Sequence, residues 1–233
     1  MLTWLTRLVA LFLFALPASA QSTLQLKLDG RIAPESGSTI DIEIVATPPE
    51  EGAGPRSVSL HMVLLQDTMA ADVASLLDLR LRDAKIRHVL PAASADRLHA
   101  SLFVEDATRI LVRVSDGLTA RVGLTERGPT SVLLLPPVAH AGAAKLTFHG
   151  TTSDARLRTR GAIDFAIDLR ADTSPTQAVE LLANTCASAN WLSERPSHDT
   201  WKPSVSFEGL ELVGTSFSLE PGSSDWGLEL VLP

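Results

Sequence analysis

Two stretches 105 positions apart carry the same alternation, and this constrains the chain more than any other feature. Val58 to Thr68 lies on Ile163 to Thr173 without a gap. Val58, Leu60, Met62 and Leu64 fall on one face of the first, and Ile163, Phe165, Ile167 and Leu169 on one face of the second. A period of two is that of a strand with one side buried. Each stretch ends in Asp-Thr and leads into a helical pattern. In the second, Ser174-Pro-Thr-Gln177 is a capping box with proline at the first helical position. Ala178, Leu181, Leu182, Thr185 and Ala189 then recur at helical spacing, with Cys186 beside them; in the first, Val73, Leu76, Leu77, Leu81 and Ala84 do the same. At the same offset Val112-x-Val114 meets Phe217-x-Leu219, and Gly117 meets Gly222. The pattern reads as an internal duplication.

Short alternating segments fill the rest. Thr23–Leu28, Thr39–Ala46, Ala100–Val104, Arg109–Val114 and Ala120–Leu124 read as strands, as do Lys145–Phe148, Arg156–Arg160, Ser204–Phe207, Gly214–Leu219 and Gly227–Leu232. Turn clusters such as Asp116-Gly117 separate them, as in antiparallel sheet. The expected class is therefore α+β: two tandem halves, each a mainly antiparallel sheet packed on one helix. Breakers at Gly128-Pro129, Pro136-Pro137 and Ala141 to Ala144 place the boundary, giving a first half over 21–127, a linker or connecting hairpin over 128–144 and a second half over 145–233. Thr130–Leu135 is the alternative strand inside that boundary.

Residues 1–20 read as a signal peptide. Arg7 supplies the positive flank, Leu8 to Leu16 the apolar core, Pro17 the break and Ala18-Ser-Ala20 the small-residue cleavage site. The apolar run is too short for the ~20 residues that span a bilayer, and no later stretch approaches that length. The expectation is cleavage near Ala20 and a periplasmic or secreted protein with no membrane span. Arg7 is the only charge removed, which leaves 19 of the 20 basic residues against 27 acidic ones, a net charge of −8. A balance of that sign disfavours phosphate backbones and nucleic acid as a partner. Sixteen arginines against four lysines, with no tyrosine, fit a GC-rich bacterial source. Cys186 is the single cysteine, so an internal disulfide is ruled out and a buried thiol in the helical stripe is expected.

The chain shows no His-Glu-x-x-His, Gly-x-Ser-x-Gly, Ser-x-x-Lys or phosphate-loop motif. Its six histidines stand far apart, at 61, 88, 99, 140, 149 and 198, without metal-ligand spacing. No metal or cofactor is expected. Trp191 to Pro203 is the segment richest in functional side chains: Trp191 and Trp201 could stack on a ligand, and His198 with Asp199 could form an acid–base pair. Arg156, Arg158 and Arg160 fall on one face of a strand, where they could clamp an anion or protect a charged edge.

Ile167 to Leu182, a strand feeding an alanine- and leucine-rich helix, resembles the opening β–α unit of the small periplasmic domains of secretins and TonB-dependent receptors. Those domains continue into further strands and a second helix, whereas residues 204–232 here read as strand throughout. Export, duplication and the lack of a catalytic signature point to a non-catalytic binding or assembly module of the bacterial cell envelope. Its partner would be another envelope protein or a small ligand. Two alternatives stand beside it: an exported hydrolase with its site around 191–203, and a structural component of a periplasmic machine.

Overall fold

The computed structural model describes residues 23–32, 39–50, 52–114, 117–125, 131–135, 143–154, 159–188, 193–203, 210–221 and 226–232. Residues 1–20, read above as a signal peptide, and Ser204–Phe207 and most of 128–144 lie outside that set. Strand formation follows the alternation. In β1 (Thr23–Gly30) Leu24, Leu26 and Leu28 turn inward; in β2 (Thr39–Ala46) Ile40, Ile42, Ile44 and Ala46 do so. Gly30 ends β1 at φ 110°, and a Cβ there would lie 2.2 Å from the Gly117 carbonyl oxygen. Only glycine fits that crossing.

The remaining elements of the first range are β3 (Arg56–Val63), helix α1 (Ala70–Asp83), β4 (His88–Val89), β5 (His99–Glu105), β6 (Ala107–Val114) and β7 (Leu118–Thr125). The second range supplies β8 (Ser131–Leu135), β9 (Ala144–Asp154), β10 (Thr159–Leu169), α2 (Pro175–Ser188), β11 (Ser193–Glu194), β12 (Thr200–Pro203), β13 (Leu210–Pro221) and β14 (Gly227–Val231). All pairings are antiparallel. They build two seven-stranded sheets, ordered β10-β9-β13-β7-β1-β5-β4 and β11-β12-β8-β14-β6-β2-β3.

Replacing each strand by the one seven places away in the chain turns either order into the other, read backwards. Registers follow suit: Ile167↔Leu146, Leu146↔Leu219 and Phe217↔Val122 in the first sheet match Met62↔Ile40, Ile40↔Val114 and Val112↔Leu228 in the second. The expectation of one sheet per half gives way here. Each sheet takes strands from both ranges, because β13 pairs with β7 and β14 with β6. Those bonds consume two strand edges that each range would otherwise leave open to solvent.

One core lies between the sheets, with inward side chains from both. At its first-range end it is aliphatic, around Ile40, Ile42, Leu77 and Leu81. At the other end Phe148, Phe165, Phe217 and Trp201 pack with ring centroids 5.0–6.4 Å apart, mostly edge to face. Each helix closes one end. Helix α1 packs on β1, β4 and β5 of the first sheet and touches β3, the end strand of the second; α2 packs on β8, β11 and β12 and touches β10, the end strand of the first. At the start of α2 the Ser174 N–H donates to Gln177 Oε1 (2.8 Å) and the Gln177 N–H to Ser174 Oγ (3.2 Å), the reciprocal box written in the sequence.

Both helices depart from the expected stripe at one position. Leu76 and Leu181, counted as inward by their spacing, are 39% and 41% exposed. The inward faces are Val73, Ala74, Leu77 and Leu81 in α1, and Ala178, Val179, Leu182 and Cys186 in α2. A helix lying beside an end strand presents one flank to the gap between them, and these two leucines sit on that flank.

Candidate functional site

A groove of about 610 Å³ lies between β10 and α2. It exists because the chain reverses at Arg170–Thr173: the Thr173 N–H donates to the Arg170 carbonyl (3.0 Å), and the Arg170 N–H to Thr173 Oγ1 (2.9 Å). The helix then runs back past the strand that precedes it. Asp168 and Arg170 line the strand side of the groove, and Gln177, Glu180, Leu181 and Asn184 line the helix side. Spacings of three and four put those helix residues on one face.

Chemically the groove is polar with an apolar centre at Leu181. Carboxylates of Asp168, Asp172 and Glu180 outnumber the Arg170 guanidinium. Arg195 reaches Glu180 at 3.5 Å, an exposed pair worth at most about 1 kcal/mol. Because β10 is an end strand, its outer backbone edge carries no neighbouring strand. An end strand flanked by a helix face offers backbone groups and side-chain subsites to an extended chain segment.

At an offset of 105 in the sequence, Asp168, Arg170, Leu181 and Asn184 correspond to Val63, Leu65, Leu76 and Leu79. These four are among the seven large hydrophobic side chains most exposed in the described residues, Leu65 at 78%. At the same offset Asp172, Gln177 and Glu180 correspond to Asp67, Asp72 and Ser75, so polar groups stand among those apolar ones.

The chain matches no protein-family model and no curated protein.

Of the residues singled out by sequence, the described ones sit as follows. Trp201 is fully buried, with Phe148, Phe165 and Phe217 against it, so its ring has no free face for a ligand. It pins β12 to the core instead. His198 and Asp199 are exposed, in the turn before β12. Asp199 accepts from Ser197 Oγ (2.6 Å) and Thr200 Oγ1 (3.2 Å) and serves as the acceptor of that turn. The Ser197 bond is the main cause holding its carboxyl below the usual range, and the charge of His198 is the smallest. Trp191, Arg156 and Arg158 lie outside the described residues; Arg160 stands in β10, paired with Ser153.

What sequence reasoning missed is a set of histidine–aspartate contacts. His99 Nδ1 lies 2.7 Å from Asp29 Oδ1, His88 Nε2 lies 3.0 Å from Asp78 Oδ1, His149 Nδ1 meets Asp164, and His61 lies 4.0 Å from Asp41. Their partners are 10 to 70 positions apart. No local motif could reveal them, since three of the four are made by strand register. No group of three metal-ligating side chains forms among the described residues.

Proposed function

We propose that this chain is an exported, non-catalytic binding or assembly module of the bacterial cell envelope, and that it holds an extended segment of another envelope protein in the groove between β10 and α2. The observation that carries the reading is the groove itself: a cleft of about 610 Å³ lined mostly by polar side chains, beside the edge of an end strand. Export is supported by the Arg7, Leu8–Leu16 and Ala18-Ser-Ala20 pattern.

The same reading includes descent from a duplicated unit. Its support is the exchange of the two sheet orders under a shift of seven strands, the matching registers, and the equivalent docking of α1 and α2. The exposed Val63, Leu65, Leu76 and Leu79 would then mark positions where the two copies diverged in chemistry.

Site-specific crosslinking from Leu181 in intact envelopes, combined with hydrogen exchange across β10, tests the binding function. The reading expects a discrete protein adduct and slowed exchange at the outer amides of β10. Adducts of no defined mass, or equal yields from the exposed Glu194 outside the groove, would count against it.

A further inference from the structure

The outer face of the first sheet carries a second cavity, of about 250 Å³, lined by Arg121, Thr147, His149, Asp164, Ser216 and Ser218. Two adjacent register rows build it. In one, Asp164 of β10 faces His149 of β9, which faces Ser216 of β13, which faces Gly123 of β7. In the next, Thr147 faces Ser218, Ser218 faces Arg121, and Arg121 faces Lys27 of β1. Gly123 contributes no side chain to the row, and the Gln25 side chain of β1 comes within 3.7 Å of where its Cβ would lie.

The polar groups of this cavity are unspent. Among the described residues, the side chains of Arg121, Thr147, Ser216 and Ser218 make no hydrogen bond or ion pair. Ser218 is 4% exposed and lines the cavity, and its hydroxyl oxygen retains contact with solvent there. A hydroxyl so placed can donate to a bound group in place of water. Asp164, the only carboxylate in the lining, is committed to His149 Nδ1. What remains is a guanidinium, three hydroxyls and one ring nitrogen around a small space, with the Lys27 ammonium on the next strand.

We infer that this cavity is a binding site for a small oxyanion, a carboxylate or phosphate group, held by Arg121 and the hydroxyls of Thr147, Ser216 and Ser218. A guanidinium presents two parallel N–H donors that match such a group, and hydroxyls supply further donors at its remaining oxygens. No phenylalanine or tryptophan lines the cavity, so a sugar ring would find only the His149 imidazole to stack on. Acyl transfer by Ser216 is disfavoured by the fold. Its strand is paired on both sides, which occupies the backbone N–H groups an oxyanion hole would need, and Ser216 makes no bond to His149. The site is independent of the β10–α2 groove.

Titration of the full-length mature chain with inorganic phosphate and with acetate, at ionic strength held constant by chloride, is the test. Amide resonances report the position. Saturable shifts are expected at Gly123, Ser216 and Ser218, with affinity lowered roughly tenfold or more in Arg121→Ala, the worth of a charged hydrogen-bonded pair. Arg121→Lys, which keeps the charge and loses the fork, should fall between. Lys27→Ala, beside the cavity, should cost under about threefold. Vesicles containing anionic lipid form a second arm: retention of the chain by them, lost in Arg121→Ala, would assign the phosphate to a headgroup, and binding of the free ions alone would assign it to a soluble ligand. Either supports the site. Shifts that do not saturate, an unchanged affinity in Arg121→Ala, or an equal loss in Lys27→Ala would overturn it.

Discussion

His88 and Asp78 meet at 3.0 Å through Nε2 and Oδ1, while His88 Nδ1 lies 2.7 Å from the Ile86 carbonyl oxygen. The ring is thus held at both of its nitrogens. The pair ties the end of α1 to β4 and is mostly withdrawn from water, at 7% and 13% side-chain exposure. Asp78→Ala strips the ring of one partner and leaves Arg82 without its (i, i+4) ion pair. A loss of about 1–3 kcal/mol is expected in urea unfolding. A change below 0.5 kcal/mol (roughly the scatter of surface substitutions) would show that water replaces Asp78 at no cost.

The exposed pair His99–Asp29 gives a pH effect of definite sign. The imidazole is pushed up from its usual range, mainly by the hydrogen bond to Asp29, against a small opposing effect of desolvation. A raised value in the folded chain means a stabilising contribution that is complete below the unfolded histidine range, about pH 6.5. It disappears as pH rises through the folded value. His99→Gln should therefore narrow the difference in stability between pH 5.5 and 8 relative to the parent chain. An identical pH profile in both would refute the coupling.

Cys186 lies on the inward face of α2 and is 3% exposed. Burial pushes its thiol above the ordinary range, with a hydrogen bond to Ser193 opposing. The thiolate is the reactive form, so a bulky thiol reagent should label the native chain slowly and the unfolded chain at once. Rapid native labelling would mean that α2 leaves its place often enough to expose the site.

Trp201 separates volume from hydrogen bonding. Its indole N–H is buried and finds no partner, so a phenyl ring in its place loses part of the packing and also removes an unsatisfied donor. Trp201→Ala should cost about 3–5 kcal/mol, and Trp201→Phe well under half of that. Equal losses would reveal a partner for the indole, such as a buried water.

The legible parts of this fold are those whose signal is local. Alternation located β1, β2, β6 and β7 to within two residues, and the Ser174–Gln177 box located the start of α2. β12 was hidden because Thr200-Trp-Lys-Pro203 is too short and mixed to show a period, and the two-residue strands β4 and β11 carry no period at all. Pairing between ranges left no trace either, since an alternating strand serves equally well beside any neighbour of the right length. The site suffered most. Tryptophan near histidine and aspartate suggests a ligand loop, yet burial decides whether an indole stacks on a ligand or on phenylalanines, and burial of Trp201 depends on Phe148 and Phe217 from distant strands. Leu181 was read as inward from spacing alone, which cannot register the gap beside β10.

The contacts of β13 with β7 and of β14 with β6 have a kinetic meaning. Neither sheet can be finished from the first 127 residues, because strands that complete both lie beyond residue 131. A chain emerging from its N-terminus must hold one edge of β6 and one edge of β7 unpaired until β14 and β13 arrive about a hundred residues later. Contacts of such long separation close slowly, and bare strand edges invite misassembly in the interval. The cell therefore has a stretch of time, absent for proteins whose domains close one after another, in which this chain is complete in half its length and stable in none of it.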